Sequence, residues 1–422
     1  MTVNNRNSMR RYNKNFKYSP EFIEDCIRDF MLSSNGKSRW KRKDVAYFYA
    51  QYMMKYFPER CPKTLHKTAN VMLQIMKHRR DVIYKLMPLI AKDLYEELNS
   101  KTITLKPIEY QYRFDNTSGK MRNIGISSIK QQIFDYIAVN SCKEMFDAKI
   151  GRFQCASLVG KGTLYGVKAI EKWIRTNPKE CRWAYKCDIR HYYPSINHDI
   201  LLSLLQRDIK NKDCLYLLDT LISSYKEGLC IGSYLSQYLA NYYLSYAYHY
   251  VSEQCFKMRK YRKDPTDSRR VNLVKHVLFY MDDIILIGSS RKDILKAGEL
   301  LEKYLNTQLD LKLKPNKQLI NLKDDYIDMM GYRISKECTT IRRRTFRLAR
   351  RLWMRYKDKK KFIPLSAARR IMSYYGYVKH SNSRRIIKKY NIFSVVNRAR
   401  KVVKEHDKRV HRKTTSLQVL PA

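Results

Sequence analysis

The sequence predicts an α+β fold in which helical segments at both ends flank a central region of strands. Residues 20–98 carry apolar side chains at helical spacing, whereas residues 102–125 alternate in the manner of two strands. Residues 278–288 (LFYMDDIILIG) form an apolar, strand-forming run that two aspartates interrupt. From residue 341 onward the helical spacing returns. Two helical regions around strands and hairpins are the pattern of an α+β protein.

Composition limits the class of partner. The 422 residues, 44% of them hydrophobic, suffice for two or three domains with a real core. Lysine and arginine number 85 against 39 acidic residues, which gives a formal charge of +46. So large a surplus predicts a polyanionic partner, with nucleic acid as the first candidate and an anionic membrane surface as the second.

Targeting signals and cysteine pairs are not evident in the sequence. No run of about 18 apolar residues occurs, and the N-terminus lacks the apolar segment of a signal peptide, so we expect a cytoplasmic protein. The ten cysteines are scattered, without a CxxC pair or a zinc-type cluster, and we expect reduced thiols.

Residues 1–100 are predicted to form a basic arm and a helical extension. Residues 1–20 are polar and basic, which favours a flexible arm. Residues 20–32, 43–57 and 64–98 show helical spacing, and we expect Pro88 to kink the third segment.

A basic hairpin is predicted for residues 102–125, with the turn at NTSGK. Lys120 and Arg122 lie two residues apart on its second strand, so they face the same side and are placed to grip a triphosphate. The alternative is a pair of exposed cations without a ligand.

Asp188 ends a predicted buried strand, WAYKCDI at 183–189, and a turn and a helix capped near Asn197 or Asp199 follow. Acids at the C-terminal end of a core strand are frequently catalytic, although such a carboxylate also serves to cap a turn. Further on, Gly232 permits a close backbone approach before a long helix on which Ser236, Gln237 and Asn241 share a face.

The two adjacent aspartates, Asp282 and Asp283, are predicted to occupy the tip of a β-hairpin whose arms enter the core. Two like charges beside apolar surface are costly unless cations neutralise them, which suggests a metal site. The alternative is a solvent-exposed hairpin turn. Carboxylates from separate strands suit two Mg²⁺ ions about 3.5–4 Å apart, and Mg²⁺ prefers such oxygen ligands.

The C-terminal region carries about half of the surplus charge. From Ile341 onward there are 26 lysines and arginines against three acids. We interpret this region as a basic helical bundle that lies across a phosphate backbone, the alternative being a surface without a ligand.

These motifs, in this order from about Leu105 to Ser383, resemble the reverse transcriptases. YMDD resembles the Y-x-D-D signature of the family, and KCDIRHYYPSI resembles the strand that carries the other catalytic aspartate, Asp188. Tyr193 falls where the family has an aromatic gate against the ribose 2′-hydroxyl. GKMR is similar to the triphosphate-binding fingers motif, LKLKPNK to the segment whose lysine protonates pyrophosphate, and MMGY to the primer grip.

The resemblance implies a right-hand polymerase with an antiparallel palm sheet. It implies the N-terminal extension at 1–100, fingers at 101–165, a palm at 166–338 with fingers-type helices near 200–227 and a basic loop at 256–272, and a thumb at 339–422. It also implies site residues in four groups: catalytic Asp188, Asp282, Asp283 and Lys317; metal-binding Asp188, Ile189, Asp282 and Asp283; nucleotide-binding Lys120, Arg122, Tyr193, Ile231, Gly232 and Gln237; and primer- or template-binding Met329, Met330, Gly331, Tyr332 and Lys260.

One motif departs from the family pattern. Where many relatives have PQGxxxSP, this chain has CIGSYLSQ, with Ile231 in place of glutamine and Gln237 in place of proline. The departure puts fidelity in doubt, and it resembles the enzymes of diversity-generating retroelements and of bacterial anti-phage defence. No RNase H, maturase or endonuclease region is evident.

The implied function is synthesis of cDNA from a dedicated noncoding RNA, with two Mg²⁺ ions, or Mn²⁺, as cofactors. The implied partners are the structured RNA template, the cDNA and dNTPs. No membrane partner is expected, whereas a second copy of the chain in a homo-oligomer or a small accessory protein is. The alternatives are an RNA-binding scaffold of the same fold without catalysis, and an RNA polymerase, primase or template-independent polymerase.

Overall fold

The chain folds as two units, each built from two separate stretches of sequence. The first comprises Met1–Ile150 and Tyr193–Tyr243, and the second comprises Gly151–Tyr192 and Leu244–Ala422. The structure is a computed structural model that describes residues 12–32, 39–115, 119–261, 266–358 and 361–415.

The helices and strands are numbered in chain order. The first part of the chain contains α1 (Pro20–Leu32), α2 (Lys43–Tyr56), α3 (Leu65–His78), α4 (Arg80–Asn99), β1 (Glu109–Asp115), β2 (Lys120–Ile126), α5 (Ile129–Ser141), α6 (Lys143–Lys149), β3 (Gln154–Cys155), α7 (Thr163–Thr176), β4 (Trp183–Asp188), α8 (His198–Asp208), α9 (Lys212–Ser223) and α10 (Tyr234–His249). The remainder contains β5 (Phe256–Lys260), β6 (Ser268–Asn272), β7 (His276–Tyr280), β8 (Asp283–Gly288), α11 (Arg291–Gln308), β9 (Gln318–Asn321), β10 (Ile327–Met329), β11 (Tyr332–Ile334), β12 (Thr339–Ile341), α12 (Arg343–Arg355), α13 (Leu365–Lys379), α14 (Arg384–Lys389) and α15 (Ile392–Thr415).

The first unit is mainly helical, and it differs from expectation in two places. Residues 64–98 form two helices that separate at Arg79, whose φ of −126° and ψ of 69° lie outside the helical region. The break lies nine residues before Pro88, and the kink at Pro88 stays a prediction. The proline lies inside α4, where the buried face of the helix from Ile83 to Leu98 holds the helix in place.

The described part of the predicted arm is packed rather than flexible. The Tyr12 amide donates a hydrogen bond to the Asp208 carbonyl at 2.7 Å, and the Tyr18 side chain is buried, with its hydroxyl 3.5 Å from Cys214 Sγ. Residues 1–11 of that prediction lie outside the described residues.

The second unit contains a five-stranded sheet in the order β3-β7-β8-β4-β9. Strand β3 pairs with β7 in parallel, and the other pairs are antiparallel. Residues of β4, β7 and β8 contribute to one apolar core together with α7 and the small antiparallel sheet β10-β11-β12. The expected antiparallel sheet at the centre of a mixed helix and strand fold is thus present.

The C-terminal helices α12 to α15 enclose a core of their own around Trp353, which is fully buried. Helix α12 (RRTFRLARRLWMR) shows why the basic region folds as helices. Its buried residues, Thr345, Ala349, Leu352 and Trp353, recur at helical spacing, while arginines occupy the remaining face. The ten cysteines all lie within the described residues and are free thiols, as expected. Over the described ranges, no helix has both the length and the apolar character of a membrane span.

Candidate active site

The acidic side chains converge because β4 and β8 are adjacent antiparallel strands. Asp188 ends β4, Asp283 begins β8, and the register pairs these two residues directly. The Cα atoms of such a pair lie about 4.5–5.5 Å apart, and the two side chains leave the same face of the sheet. Acids that are ninety-five positions apart in the chain therefore become neighbours at one end of the sheet.

The hairpin of β7 and β8 closes through a two-residue turn, Met281 and Asp282, between the paired residues Tyr280 and Asp283. Met281 has a φ of +53°, as the turns favoured in such hairpins require. The Ile189 amide donates a hydrogen bond to the Asp282 carbonyl at 3.0 Å, which extends the pairing with β4 into the turn. The prediction that both acids occupy the tip is corrected in one respect, since Asp283 lies on the strand.

The Asp283 side chain is 22% exposed, against 35% for Asp188. Burial, together with repulsion from Asp188 and Asp282, raises the pKa of Asp283 to about 6, although the Lys186 ammonium opposes the shift. Lys186 Nζ lies 3.4 Å from Asp283 Oδ1, an ion-pair distance, yet this oxygen is buried and accepts no hydrogen bond. A buried carboxylate oxygen with spare acceptor capacity is an environment that a cation would stabilise.

Two lysines contact the paired acids, and the sequence analysis singled out neither. Lys314 Nζ donates to Asp188 Oδ1, and the Lys314 amide donates to the Asp188 carbonyl at 2.8 Å. Lys317, the predicted general acid, instead pairs with Glu302 Oε2 on α11 at 2.5 Å. The alternation of β4 places Lys186 and Asp188 on one face, so Lys186 was open to prediction. The spacing of LKLKPNK does not distinguish Lys314 from Lys317.

The predicted primer-grip residues form a second tight hairpin in the same unit. Met329 pairs with Tyr332 across a turn of Met330 and Gly331, which have φ of +54° and +86°. Lys186 Nζ also donates to the carbonyl of Asp328 on β10 at 2.8 Å. One lysine therefore ties this hairpin to the acid-bearing end of the central sheet.

The predicted nucleotide-binding residues lie in the first unit, where the structure brings two groups of them together. Lys120 and Arg122 are exposed on β2. At the base of that strand, the Gly125 amide donates to the Ile231 carbonyl at 2.9 Å. Gly232 has a φ of +119°, and a Cβ there would lie 2.7 Å from the Gly125 carbonyl oxygen. Only glycine fits this contact between hairpin and loop.

Tyr193 and Gln237 flank the same loop within the first unit. The Tyr193 carbonyl accepts a hydrogen bond from the Leu229 amide at 2.8 Å, two residues before Ile231. Gln237 lies half-buried in the first turns of α10, and its carbonyl accepts from the Asn241 side chain at 2.8 Å. Lys260, in the second unit, is exposed at the end of β5.

Asp135 is a further residue of interest that the sequence analysis missed. Fully buried on α5, it accepts hydrogen bonds from the Ser233 hydroxyl at 2.8 Å and from the Tyr234 amide at 3.2 Å. It thereby caps α10 directly behind Gly232. Burial raises the pKa of this carboxyl to about 7, while the hydrogen bonds oppose the shift. The lone acid in the apolar run IFDYIA was the available signal.

Three carboxylates, one with an orphaned buried oxygen, give a donor set that fits hard divalent cations. Among the described residues, no three His, Cys, Asp or Glu side chains are gathered around one point as a formed metal cluster. The lysine contacts supply the physical reason, because Lys314 holds a carboxylate oxygen of Asp188 and Lys186 lies beside Asp283.

Comparisons with known proteins identify the family of this chain. A family model described as reverse transcriptase (RNA-dependent DNA polymerase) matches residues 114–334, more than half of the chain. No curated protein matches the sequence. Similar solved structures include apo telomerase from Candida tropicalis, at 11% identity and a TM-score of 0.41 over 96% of this chain and 83% of that one. Telomerase from Candida albicans in complex with a telomeric RNA fragment is also similar, at 10% identity and a TM-score of 0.40. That match covers 89% of this chain and 73% of the telomerase chain.

Proposed function

Because the chain belongs to the reverse transcriptase family and is thus an RNA-directed DNA polymerase of right-hand fold, we propose that it copies a dedicated, structured RNA into cDNA. The observation that carries the proposal is the register that places Asp188 opposite Asp283, with Asp282 in the adjoining turn. Three acids at one end of a sheet supply metal ligands for nucleotidyl transfer, in which the primer 3′-hydroxyl attacks the α-phosphate of the deoxynucleotide and pyrophosphate leaves.

Asp188 and Asp282 would hold two divalent ions, with Asp283 in support and Ile189 contributing from its main chain. Members of this family generally use such ions, and we propose Mg²⁺, with Mn²⁺ as a substitute, because the donors are hard oxygens. When bound, the ions activate the primer 3′-hydroxyl and neutralise the leaving pyrophosphate. Lys186, paired with Asp283, offsets part of the negative charge of the three acids.

The incoming deoxynucleotide would be held by groups of the first unit. Arg122, with Lys120 beside it on the exposed strand, would contact the triphosphate. Tyr193 would exclude the ribose 2′-hydroxyl. Ile231 and Gly232 would pack against the nucleotide, and the hydrogen bond from Gly125 to Ile231 supports this role because it fixes the loop to the Arg122 strand.

The nucleic acid would lie along the second unit. Met329, Met330, Gly331 and Tyr332 would hold the primer terminus, and Lys186 supports this role by linking β10 to Asp283. Lys317 would protonate pyrophosphate after moving away from Glu302. Lys260 and the arginine face of α12 would contact the template backbone.

The biological setting is the finer part of the proposal. We propose a cytoplasmic enzyme of a bacterial or phage accessory system, either a diversity-generating retroelement or an anti-phage defence system, with a noncoding RNA as template. The motif CIGSYLSQ supports this assignment by resemblance. A second copy of the chain or a small accessory protein would complete the assembly.

Primer extension on RNA tests the function. The purified protein is incubated with Mg²⁺ and a primed RNA, with dNTPs or NTPs, and the RNA and cDNA that copurify are sequenced. We expect incorporation of dNTPs alone and one enriched RNA. Incorporation of NTPs alone would indicate an RNA polymerase, and RNA binding without either reaction would indicate a scaffold; both outcomes would contradict the proposal.

A further inference from the structure

The hairpin of β5 and β6 in the second unit carries side chains that the backbone contact proposed for Lys260 does not explain. Its ten strand residues, FKMRK and SRRVN, include five lysines and arginines and no acid. None of the ten is buried. A two-stranded ribbon without a buried face is only marginally stable in water. Because neither face packs against the protein, packing does not account for the residues on the ribbon.

The base of the ribbon is anchored, although its strands are exposed. Cys255 and Leu273, the residues that flank the two strands, are both buried, and the Leu273 amide donates to the Cys255 carbonyl at 2.9 Å. Lys257 Nζ contacts both carboxylate oxygens of Asp293, at 2.6 and 2.7 Å, and so holds the ribbon to α11. The ribbon therefore projects from a fixed point.

One face of the ribbon presents two opposed arginines. The register pairs Arg259 with Arg269, so their Cβ atoms are about 5 Å apart on the same side. Like charges directly opposite each other destabilise a ribbon. Two successive phosphates of a nucleic-acid strand, one at each guanidinium group, would relieve that repulsion and accept hydrogen bonds from the arginines.

The other face combines apolar side chains with cations. Phe256 is 41% and Met258 is 58% exposed. The Arg270 guanidinium carbon lies 3.8 Å from the centre of the Phe256 ring, and Arg270 is exposed. Tyr261, 44% exposed just beyond β5, belongs to the opposite face, where the Arg269 guanidinium lies 5.8 Å from the centre of its ring. Unpaired RNA bases stack on aromatic rings and on arginine planes in this manner.

We propose that this ribbon binds an unpaired segment of RNA, with phosphates at Arg259 and Arg269 and bases stacked beside Phe256, Met258 and Arg270. The proposal rests on the proposed function, since it names which feature of the template RNA is recognised outside the reaction centre. Duplex RNA is the less favoured ligand because it presents no free base faces.

Two ribbon variants of the full-length protein and a control test the proposal. R259Q/R269Q removes the opposed charges, F256S/M258S removes the stacking surface, and K303Q/K323Q removes two exposed charges elsewhere in the unit. Fluorescence anisotropy measures binding of an oligouridylate of about 20 nucleotides and of an RNA duplex of similar length, across a salt series. Thermal melting confirms that each variant is folded.

We expect F256S/M258S to weaken oligouridylate binding by about ten-fold and duplex binding much less. R259Q/R269Q should lower the salt slope by about 1.4, because each phosphate contact to a single strand contributes about 0.7. The proposal would be overturned if F256S/M258S lost affinity equally for oligouridylate and for duplex RNA. It would also be overturned if the ribbon variants lost no more oligouridylate affinity than K303Q/K323Q does.

Deoxynucleotide incorporation by the unaltered protein, measured in parallel, separates the two proposals. If the unaltered protein incorporates deoxynucleotides and both ribbon variants bind RNA as tightly as it does, only the ribbon proposal is contradicted. The expected ribbon losses in a protein that incorporates no nucleotide would contradict the proposed function alone.

Discussion

Lys314 and Lys186 offset the negative charge of the acid pair, Asp188 and Asp283. Lys314 contacts Asp188, and Lys186 lies beside Asp283. These two cations offset the mutual repulsion of carboxylates that the register forces together. A divalent ion that binds Asp188 would have to displace Lys314, which makes the lysine and the ion competitors for one carboxylate.

K314M should therefore bind divalent ions more tightly. The pair is partly exposed, so its loss is worth about 1 kcal/mol, or about five-fold in affinity. Binding of Mn²⁺ to the protein, followed by electron paramagnetic resonance, measures the effect without any turnover. K317M is the matched control, since Lys317 pairs with Glu302 on α11. Equal or weaker Mn²⁺ binding by K314M would contradict the competition.

Asp135 should impose a pH dependence on stability. Burial raises its pKa to about 7 in the folded protein, whereas an aspartate in an unfolded chain has its ordinary pKa of 3.8, so folding takes up a proton between these pH values. The free energy of unfolding contributed by this group is therefore greatest at low pH and falls as pH rises to about 7.

The variant D135N removes that titration. Urea unfolding at a series of pH values should show the stability of the wild-type protein, relative to D135N, falling between about pH 5 and pH 7 and then levelling. The other titrating groups are common to both proteins and cancel in the difference. A difference that does not change with pH would show that Asp135 ionises normally in the folded state.

The tight turn between β10 and β11 should be intolerant of side chains at Gly331. This residue has a φ of +86°, and a Cβ would lie 2.7 Å from Cε1 of Tyr377 on α13. Both features oppose alanine, so G331A should lower the free energy of unfolding by at least about 1 kcal/mol.

Gly376, the neighbour of Tyr377 in α13, provides the matched control for G331A. A Cβ at Gly376 would contact nothing within 4 Å, and helix propensity favours alanine there by about 0.5–1 kcal/mol. Urea unfolding of both variants should give changes of opposite sign. A loss of stability in G376A equal to that in G331A would contradict this account of the turn.

Elements whose apolar pattern was strong were predictable from the sequence. The helix at 20–32, the strand that ends in Asp188 and the hairpin that carries Asp282 follow directly from periodicity and turn chemistry. The helix break at Arg79 and the position of Pro88 were not predictable in this way. Tertiary burial along α4 outweighs the local preference of proline.

At the scale of the whole molecule, the sequence predicted which acids converge but not what neutralises them. Register follows from strand pairing, which an apolar pattern specifies. Lys314, and not Lys317, contacts Asp188 because of the path of the loop before β9, where Leu313 forms a β-bridge with Ile189. Side chains on such a loop have no periodicity that assigns them to a partner. The burial of Asp135 behind the Gly232 loop is likewise a tertiary result.

The central claim is that Asp188, Asp282 and Asp283 form one reaction centre for RNA-templated DNA synthesis. The most direct test is primer extension on RNA with dNTPs and Mg²⁺ by the wild-type protein, D282N/D283N and D324N/D325N. The last variant changes the same dipeptide in an exposed loop of the same unit. The account predicts full-length cDNA from the wild-type protein and D324N/D325N, and a loss of at least about a hundred-fold in D282N/D283N. Undiminished cDNA synthesis by D282N/D283N would contradict it.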